Sequence, residues 1–390
     1  MTYRFPLAST TWGDEELDAM QRVISSGMFT MGASVAEFQR QFADYAGSRY
    51  CVMVNSGSSA NLLMVAALFY TSNETLRLKA GDEVIVPAVS WSTSYSPLYQ
   101  YGLKIVFVDI DLETLNYDLD QLESAVNDRT RAILAVNLLG NPNDFSRIEQ
   151  LVERQNIVLI EDNCESMGAE FSGKKTGTFG VMGTFSTFFS HHMSTMEGGM
   201  IVTDDEELYH ILLSLRAHGW TRDLPEENHV CGRKSSDPFT ESFRFVLPGY
   251  NVRPTELSGA IGIEQLKKLP DFIEGRRRNA SMFTKALSTH PDVLIQREIG
   301  ISSWFGFSLV LRPGASITRS DLVAKLNKLG FEMRLLSITI PMCLSVFPML
   351  STSTRTVFLS AITILAILMR YLHLKTYSKN RACGLLPGRV

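Results

Sequence analysis

Between Asp82 and Ser166 the chain repeats one form four times: a short apolar run that ends in polar residues. The runs lie in "DEVIVPAVSW", "KIVFVDID", "RAILAVNLLG" and "NIVLIEDNCES". None alternates apolar with polar residues, as a strand with one wet face would; each reads as a strand buried on both faces. Helix-like segments separate them, among them Leu119–Val126 and Phe145–Arg154. Strand and helix in alternation dictate an α/β architecture, a mostly parallel sheet covered by helices. Ligands of such sheets bind beyond the carboxyl ends of the strands. The polar residues at those ends are therefore site candidates: Trp91, Asp162, Glu165, Ser186 and His191.

Elsewhere, Asp14–Ser26 predicts an amphipathic helix with Leu17, Met20, Val23 and Ile24 on its apolar face. "GSSANLLMVAALFY" predicts a helix from about Ala60. A long helix starts near Thr255 and ends at Arg276–Arg278, which read as a solvated face. The formal charge of −4 gives no electrostatic case for nucleic acid. Cys51, Cys164, Cys231, Cys343 and Cys383 are scattered, without zinc spacing, and the start carries no signal-like segment, so a reduced, cytoplasmic setting is expected.

Composition breaks near Met333. All 41 acidic residues precede that point, while seven of the 37 basic residues follow it. Three readings fit the tail. It could be a membrane anchor, although Thr356 to Met369 is too short to span a bilayer. It could be a buried hydrophobic subdomain. It could also be a segment read out of frame from the gene encoding the body, the reading favoured by the loss of acidic residues.

"NSGSSAN", Asn55 to Asn61, places Gly57 and Ser58 at a helix start, where free N–H groups and the helix dipole suit an anion such as phosphate. Asp162 follows an apolar strand and can hold a positively charged ring nitrogen. Trp91 can stack on a planar group, and Ser186 can add a phosphate contact. Each has a plainer reading: a capped helix, a turn cap, a core tryptophan. His191 and His192 stand together in "FFSHHMSTMEGG", but neighbours on extended chain point to opposite sides, which disfavours joint metal binding. No metal site is expected.

Together and in this order the motifs resemble the sugar-modifying branch of the pyridoxal-phosphate aminotransferase-like proteins, which have the aspartate aminotransferase fold (fold type I). The resemblance runs from about Tyr3 to Arg334 through "GSSAN", "VSWSTS", "EDNCESMGA", "TFSTFFSHHMSTMEGGMIVTDD", "LRAHGWTRD" and "GYNVRPTELSGAIGIEQL". It implies an N-terminal segment (1–30), a large cofactor-binding domain (31–255), the start of a small C-terminal α/β domain (256–334) and an atypical tail (335–390). In this family the cofactor-bonding lysine lies six residues before the Glu of "EGG". Here that position is His191, and no lysine occurs between Lys175 and Lys234. Histidine cannot make the covalent link but can still take and give protons.

That substitution is similar to the 3-dehydratases of nucleotide-linked 4-keto-6-deoxy sugars. Without a compact set of four cysteines the chain is closer to those lacking an iron–sulfur cluster, which act on a GDP-linked sugar. The resemblance implies noncovalent pyridoxal 5'-phosphate, converted to pyridoxamine 5'-phosphate by L-glutamate. It further implies condensation with the C4 ketone, loss of the C3 hydroxyl with His191 as base, and release of ammonia. It places Asp162 at the ring nitrogen, Trp91 on the ring, Gly57, Ser58 and Ser186 on the phosphate, and Glu165 near the ring hydroxyl. Asn251 is implied to reach the phosphate from a second subunit, hence a homodimer with shared sites. His218 and Arg334 become candidate substrate or glutamate contacts, and His192 a structural residue.

Overall fold

A computed structural model describes residues 3–335 and 364–368. The four repeated runs are strands: β2 (Glu83–Pro87), β3 (Lys104–Val108), β4 (Thr130–Val136) and β5 (Val158–Asp162). They share a sheet with β1 (Tyr50–Val54), β8 (Met182–Ser186) and β9 (Gly199–Thr203); β6 (Glu170–Phe171) and β7 (Lys174–Lys175) form a separate small hairpin. The sheet order is β1-β9-β8-β5-β4-β2-β3. Only β9 runs against its neighbours, pairing antiparallel with both β1 and β8; every other pair in the sheet is parallel. Ser186 at the end of β8 pairs with Gly199 at the start of β9, closing the base of the loop that carries the two histidines.

Alternate residues of the strands feed different cores, as the period of two requires. Val84, Val86, Leu134 and Ile160 join one core, with Leu63 and Met64 of α3 (Gly57–Tyr70). Ile85, Ile133, Ala135 and Leu159 join the other, with Leu122 of α5 (Leu119–Ala125) and Phe145 and Ile148 of α6 (Phe145–Gln155). Each fully buried Leu, Ile or Phe contributes about 1.5–3 kcal/mol, so burial on both faces explains the apolar runs of β2, β4 and β5, whereas β3, at the sheet edge, is only part-buried.

The helix of "GSSAN" starts at Gly57 rather than Ala60, because the Ser56 side chain accepts a hydrogen bond from Ser59 N–H (3.1 Å) and caps it earlier. α1 (Asp14–Ser26) has the expected limits but a different inner face. Glu16, Ala19 and Val23 are its buried residues, while Leu17 and Ile24 are half exposed. A salt bridge from Glu16 to Lys268 (2.7 Å) and a narrow contact through Val23 and Ala260 fix that rotation. α2 (Ala33–Ala46) is pinned at its start by Glu256, which accepts from Gly32 and Val35 N–H (2.6 and 3.2 Å). α4 (Ser92–Gln100) and α7 (Glu206–Arg216) pack beside α3. β10 (Glu227–Asn228), β11 (Gly232–Arg233) and α8 (Pro238–Ser242) form an excursion after α7.

The long helix α9 (Glu256–Leu287) runs past Arg278. Of the arginine triplet only Arg278 is exposed. Arg276 is buried and donates to the carbonyls of Trp304 and Phe305 (3.2 and 2.8 Å), and Arg277 donates to Ser302 and Gly168 carbonyls (2.9 and 3.1 Å). The expected solvated face is thus a clamp on the 302–305 segment. Beyond it, β12 (Val293–Ile295), β13 (Gly306–Leu311), α10 (Arg319–Lys328), β14 (Arg334–Leu335) and β15 (Ile364–Leu368) form a smaller unit. Its antiparallel sheet has the order β12-β13-β15-β14. Of the compositionally distinct tail, Leu335 and residues 364–368 are in this sheet; the remainder lies outside the described residues. Among the described residues no helix is long and apolar enough to cross a membrane.

Candidate active site

The carboxyl ends of β1, β2, β4, β5 and β8 lie along one edge of the sheet, and Asp162 is the last residue of β5. Its carboxylate is 5% exposed. Asn61 Nδ2 (2.8 Å) and Ser94 Oγ (2.7 Å) donate to one oxygen, and Cys164 N–H (3.1 Å) to the other. Asn61 is itself oriented by Thr184 Oγ1, which donates to its Oδ1 (2.6 Å). These donors lock the carboxylate in one orientation. Asn61 and Ser94 were not singled out from the sequence, although both stand in the motifs "GSSAN" and "VSWSTS".

Gly57 and Ser186 meet at the start of α3. A Cβ on Gly57 would stand 2.7 Å from Ser186 Cβ and 3.0 Å from Cys164 Sγ, so any larger residue would fill this cradle. Helix geometry leaves the first-turn N–H groups without partners inside the helix. Ser58 is exposed, its hydroxyl donating to Thr93 Oγ1 (3.1 Å). The cradle therefore combines a helix start with two hydroxyls, the elements of a phosphate site.

His191 sits on the loop between β8 and β9, in bends rather than regular structure. Thr187 N–H to the Gly198 carbonyl, Thr195 N–H to the Thr187 carbonyl (both 2.9 Å) and Phe189 N–H to the Met196 carbonyl (3.0 Å) zip the loop together. Its imidazole packs on the ring of Phe305, with centroids 5.0 Å apart, and on that of Phe188, at 5.9 Å. His192 is fully buried with Nε2 3.3 Å from the Ser303 carbonyl. The neighbours thus occupy different surroundings. No group of three or more His, Cys, Asp or Glu side chains among the described residues is arranged to hold a metal.

Glu165 is part-buried and accepts from Leu139 N–H (3.1 Å). Burial first, and then the negative charge of Asp162, push its carboxyl up to about 7, against the pull of the Leu139 N–H and the Arg334 guanidinium. Arg334 also lies over the Trp91 ring, 5.7 Å from its centroid. Trp91 is 58% exposed, a ring open to the cleft rather than a core tryptophan. Asp162, Glu165, Trp91 and Arg334 are in this way brought into one neighbourhood.

His218 and Asn251 stand apart. They are exposed, and flank a bridge between Ala217 and Asn251, with His218 N–H bonded to the Tyr250 carbonyl (2.7 Å) and Asn251 Oδ1 accepting from Arg253 Nε (3.0 Å). The next residue, Val252, accepts from Asn55 N–H (2.9 Å), which sets this segment beside the "NSGSSAN" loop.

The chain is similar to several known proteins. A GDP-4-keto-6-deoxy-D-mannose 3-dehydratase of Yersinia pseudotuberculosis is 65% identical over 330 residues, 85% of this chain and 84% of that protein. A crystal structure of GDP-4-keto-6-deoxymannose-3-dehydratase with a trapped PLP-glutamate geminal diamine superposes with a TM-score of 0.91 at 53% identity, covering 96% of this chain and 98% of the other. A variant of ColD, with lysine in place of a histidine and asparagine in place of the serine just before it, superposes with a TM-score of 0.89 at 52% identity, over 95% and 99% of the two chains. The model of the DegT/DnrJ/EryC1/StrS aminotransferase family matches residues 10–369. With its strand order, its strand-end site and this match, the chain belongs to the DegT/DnrJ/EryC1/StrS aminotransferase family.

Proposed function

We propose that this chain is a pyridoxal-phosphate-dependent 3-dehydratase of GDP-4-keto-6-deoxy-D-mannose that uses L-glutamate as amino donor. The observation that carries the reading is histidine, rather than lysine, on the loop between β8 and β9 of an aminotransferase-family fold. The sequence contains the dipeptide Ser-His once, at Ser190–His191. The serine and histidine replaced together in the ColD variant are likewise adjacent, which supports His191 as the equivalent position.

The residues present fit the cofactor. The Gly57–Ser186 cradle, which a Cβ would close, suits its phosphate, with Ser58 at the rim. Asp162, held by Asn61 and Ser94, suits a protonated ring nitrogen, and the open face of Trp91 suits its ring. Bound there, pyridoxal phosphate supplies the electron sink and the carrier for glutamate's amino group. Asp162 keeps positive charge on the ring nitrogen. His191 takes and returns protons beside the reacting carbons, and its lack of an amine leaves the cofactor noncovalent. Glu165 holds the neighbourhood of the ring hydroxyl. Arg334 binds a carboxylate or a sugar phosphate.

Asn251, exposed at the protein surface, is assigned to the phosphate site of a second copy, and exposed His218 to a substrate or glutamate contact. The half-exposed Leu17, Ile24, Met28 and Phe29 support a homodimer.

The test is to incubate the protein with pyridoxal phosphate, L-glutamate and GDP-4-keto-6-deoxy-D-mannose. A 3-deoxy sugar with release of ammonia is expected. A product that keeps nitrogen at C4 would make the chain an aminotransferase and sink the proposal.

A further inference from the structure

His191 has two side-chain torsions, stands on irregular backbone and has no covalent anchor to its substrate or cofactor. A proton-transfer group is effective only when held close to its productive geometry. The loop hydrogen bonds fix the backbone of residues 187–198 but not the plane of the imidazole. That plane is set by what touches the ring.

The Phe305 ring packs on the imidazole tilted 50° at 5.0 Å, closer than Phe188, which meets it edge-on at 79° and 5.9 Å. Phe188 belongs to the same loop and is 40% exposed, whereas Phe305 comes from a distant segment and is 8% exposed. That segment is firmly held. Ser303 N–H bonds to the Gly140 carbonyl and Phe305 N–H to the Leu139 carbonyl (both 2.9 Å), while Arg276 and Arg277 grip the carbonyls of Ser302, Trp304 and Phe305. The approach is close enough that a Cβ on Gly140 would lie 2.6 Å from Trp304 N and 2.7 Å from Phe305 N. Leu139 and Trp304, on the two facing segments, both adopt left-handed backbone, φ 56° and 48°. Left-handed backbone at a residue other than glycine is strained and persists only where the surroundings enforce it. The Phe305 ring also touches His192 at 5.6 Å, and the Arg276 guanidinium lies 6.0 Å from its centroid. The next residue, Gly306, begins β13 of the smaller unit.

We infer that Phe305 is a positioning residue for the base: clamped by Arg276 and the Leu139–Gly140 turn, its ring forms the wall that fixes the plane of the His191 imidazole. The role in catalysis rests on the dehydratase reading; the contact itself does not. Because Phe305 leads directly into β13, the smaller unit takes part in holding the base.

The experiment uses cofactor-free protein with labelled histidine, the His191 resonance being assigned through His191→Asn. Wild type and Phe305→Tyr should show a ring-current shift of the His191 resonance and cross-relaxation with the ring at 305; Phe305→Leu should lose both. In the loaded protein, Phe305→Leu should slow the glutamate half-reaction about tenfold to a hundredfold while changing cofactor affinity by no more than about twofold, with Phe305→Tyr restoring the rate. A His191 resonance unmoved by Phe305→Leu would overturn the inference. So would equal slowing by Leu and Tyr with loss of cofactor binding, the mark of a merely structural residue. If Phe305→Leu does not fold, absence of cross-relaxation between the two rings in wild type overturns it. A wild-type chain inert toward glutamate would sink the dehydratase reading, yet the resonance comparison would still decide the contact.

Discussion

Replacing Glu165 with glutamine should make the cofactor-free protein more stable at pH 8 and leave it unchanged near pH 4.5. The carboxyl is pushed from its ordinary 4.5 up to about 7, chiefly by burial and then by the charge of Asp162. An acid whose value is raised on folding binds more protons folded than unfolded across that interval. Its contribution is therefore fully present below the unfolded value and is lost as pH rises through the folded one. At about 1.4 kcal/mol per pH unit the gap amounts to about 3.5 kcal/mol at most, less to the extent that water reaches the partly exposed carboxyl. Glutamine resembles the protonated side chain, keeps an oxygen for Leu139 N–H and does not titrate. Urea unfolding followed by tryptophan fluorescence, at several pH values from 4.5 to 8, should give stabilities for the two proteins that meet at the acid end, separate progressively as pH rises from 4.5 to about 7 and keep a constant gap above that, with the variant higher. Parallel curves, or a wild type that gains on the variant as pH rises, would refute the assignment of Glu165 as a carboxyl burdened by its charge.

Three further outcomes are expected. His191→Asn should bind pyridoxal phosphate with its characteristic absorbance yet lose dehydration by about a hundredfold or more; turnover at the wild-type rate would mean another residue is the base. Glu161→Ala should destabilise the protein by about 4 kcal/mol or more in the same urea assay. Its buried carboxylate accepts from the N–H groups of Gly177, Phe179 and Gly180 and from Asn137 Nδ2, and alanine strands them all. Gly57→Ala should abolish phosphate-dependent cofactor binding and lower stability by about 1–3 kcal/mol, since its Cβ would meet Ser186 and Cys164; undiminished affinity by absorbance titration would move the phosphate elsewhere.

The sheet was legible in the sequence because strands buried on both faces carry apolar runs, as β2, β4 and β5 do; β3 reads the same way but lies at the sheet edge, where only Val108 is buried. Asp162 and Ser186 were legible because each ends such a strand. Other features leave no comparable trace. The role of Arg276 was hidden because its acceptors are backbone carbonyls, which any residue supplies. The inner face of α1 was misjudged because periodicity marks Leu17 and Ile24 as apolar without saying what covers them, and Glu16 is buried only through its partner Lys268, far along the chain. Asn61 and Ser94 act on Asp162 from separate helices, so their joint purpose exists only once the sheet edge has gathered them.

The pairing of Ser186 with Gly199 makes the histidine loop a closed stitch between two buried strands, with its length and both ends fixed by the sheet. A change of side chain at position 191 can therefore exchange one functional group for another while the backbone path stays the same. Under the proposed role of His191, the chemistry of the loop is thereby separable from the scaffold that carries it.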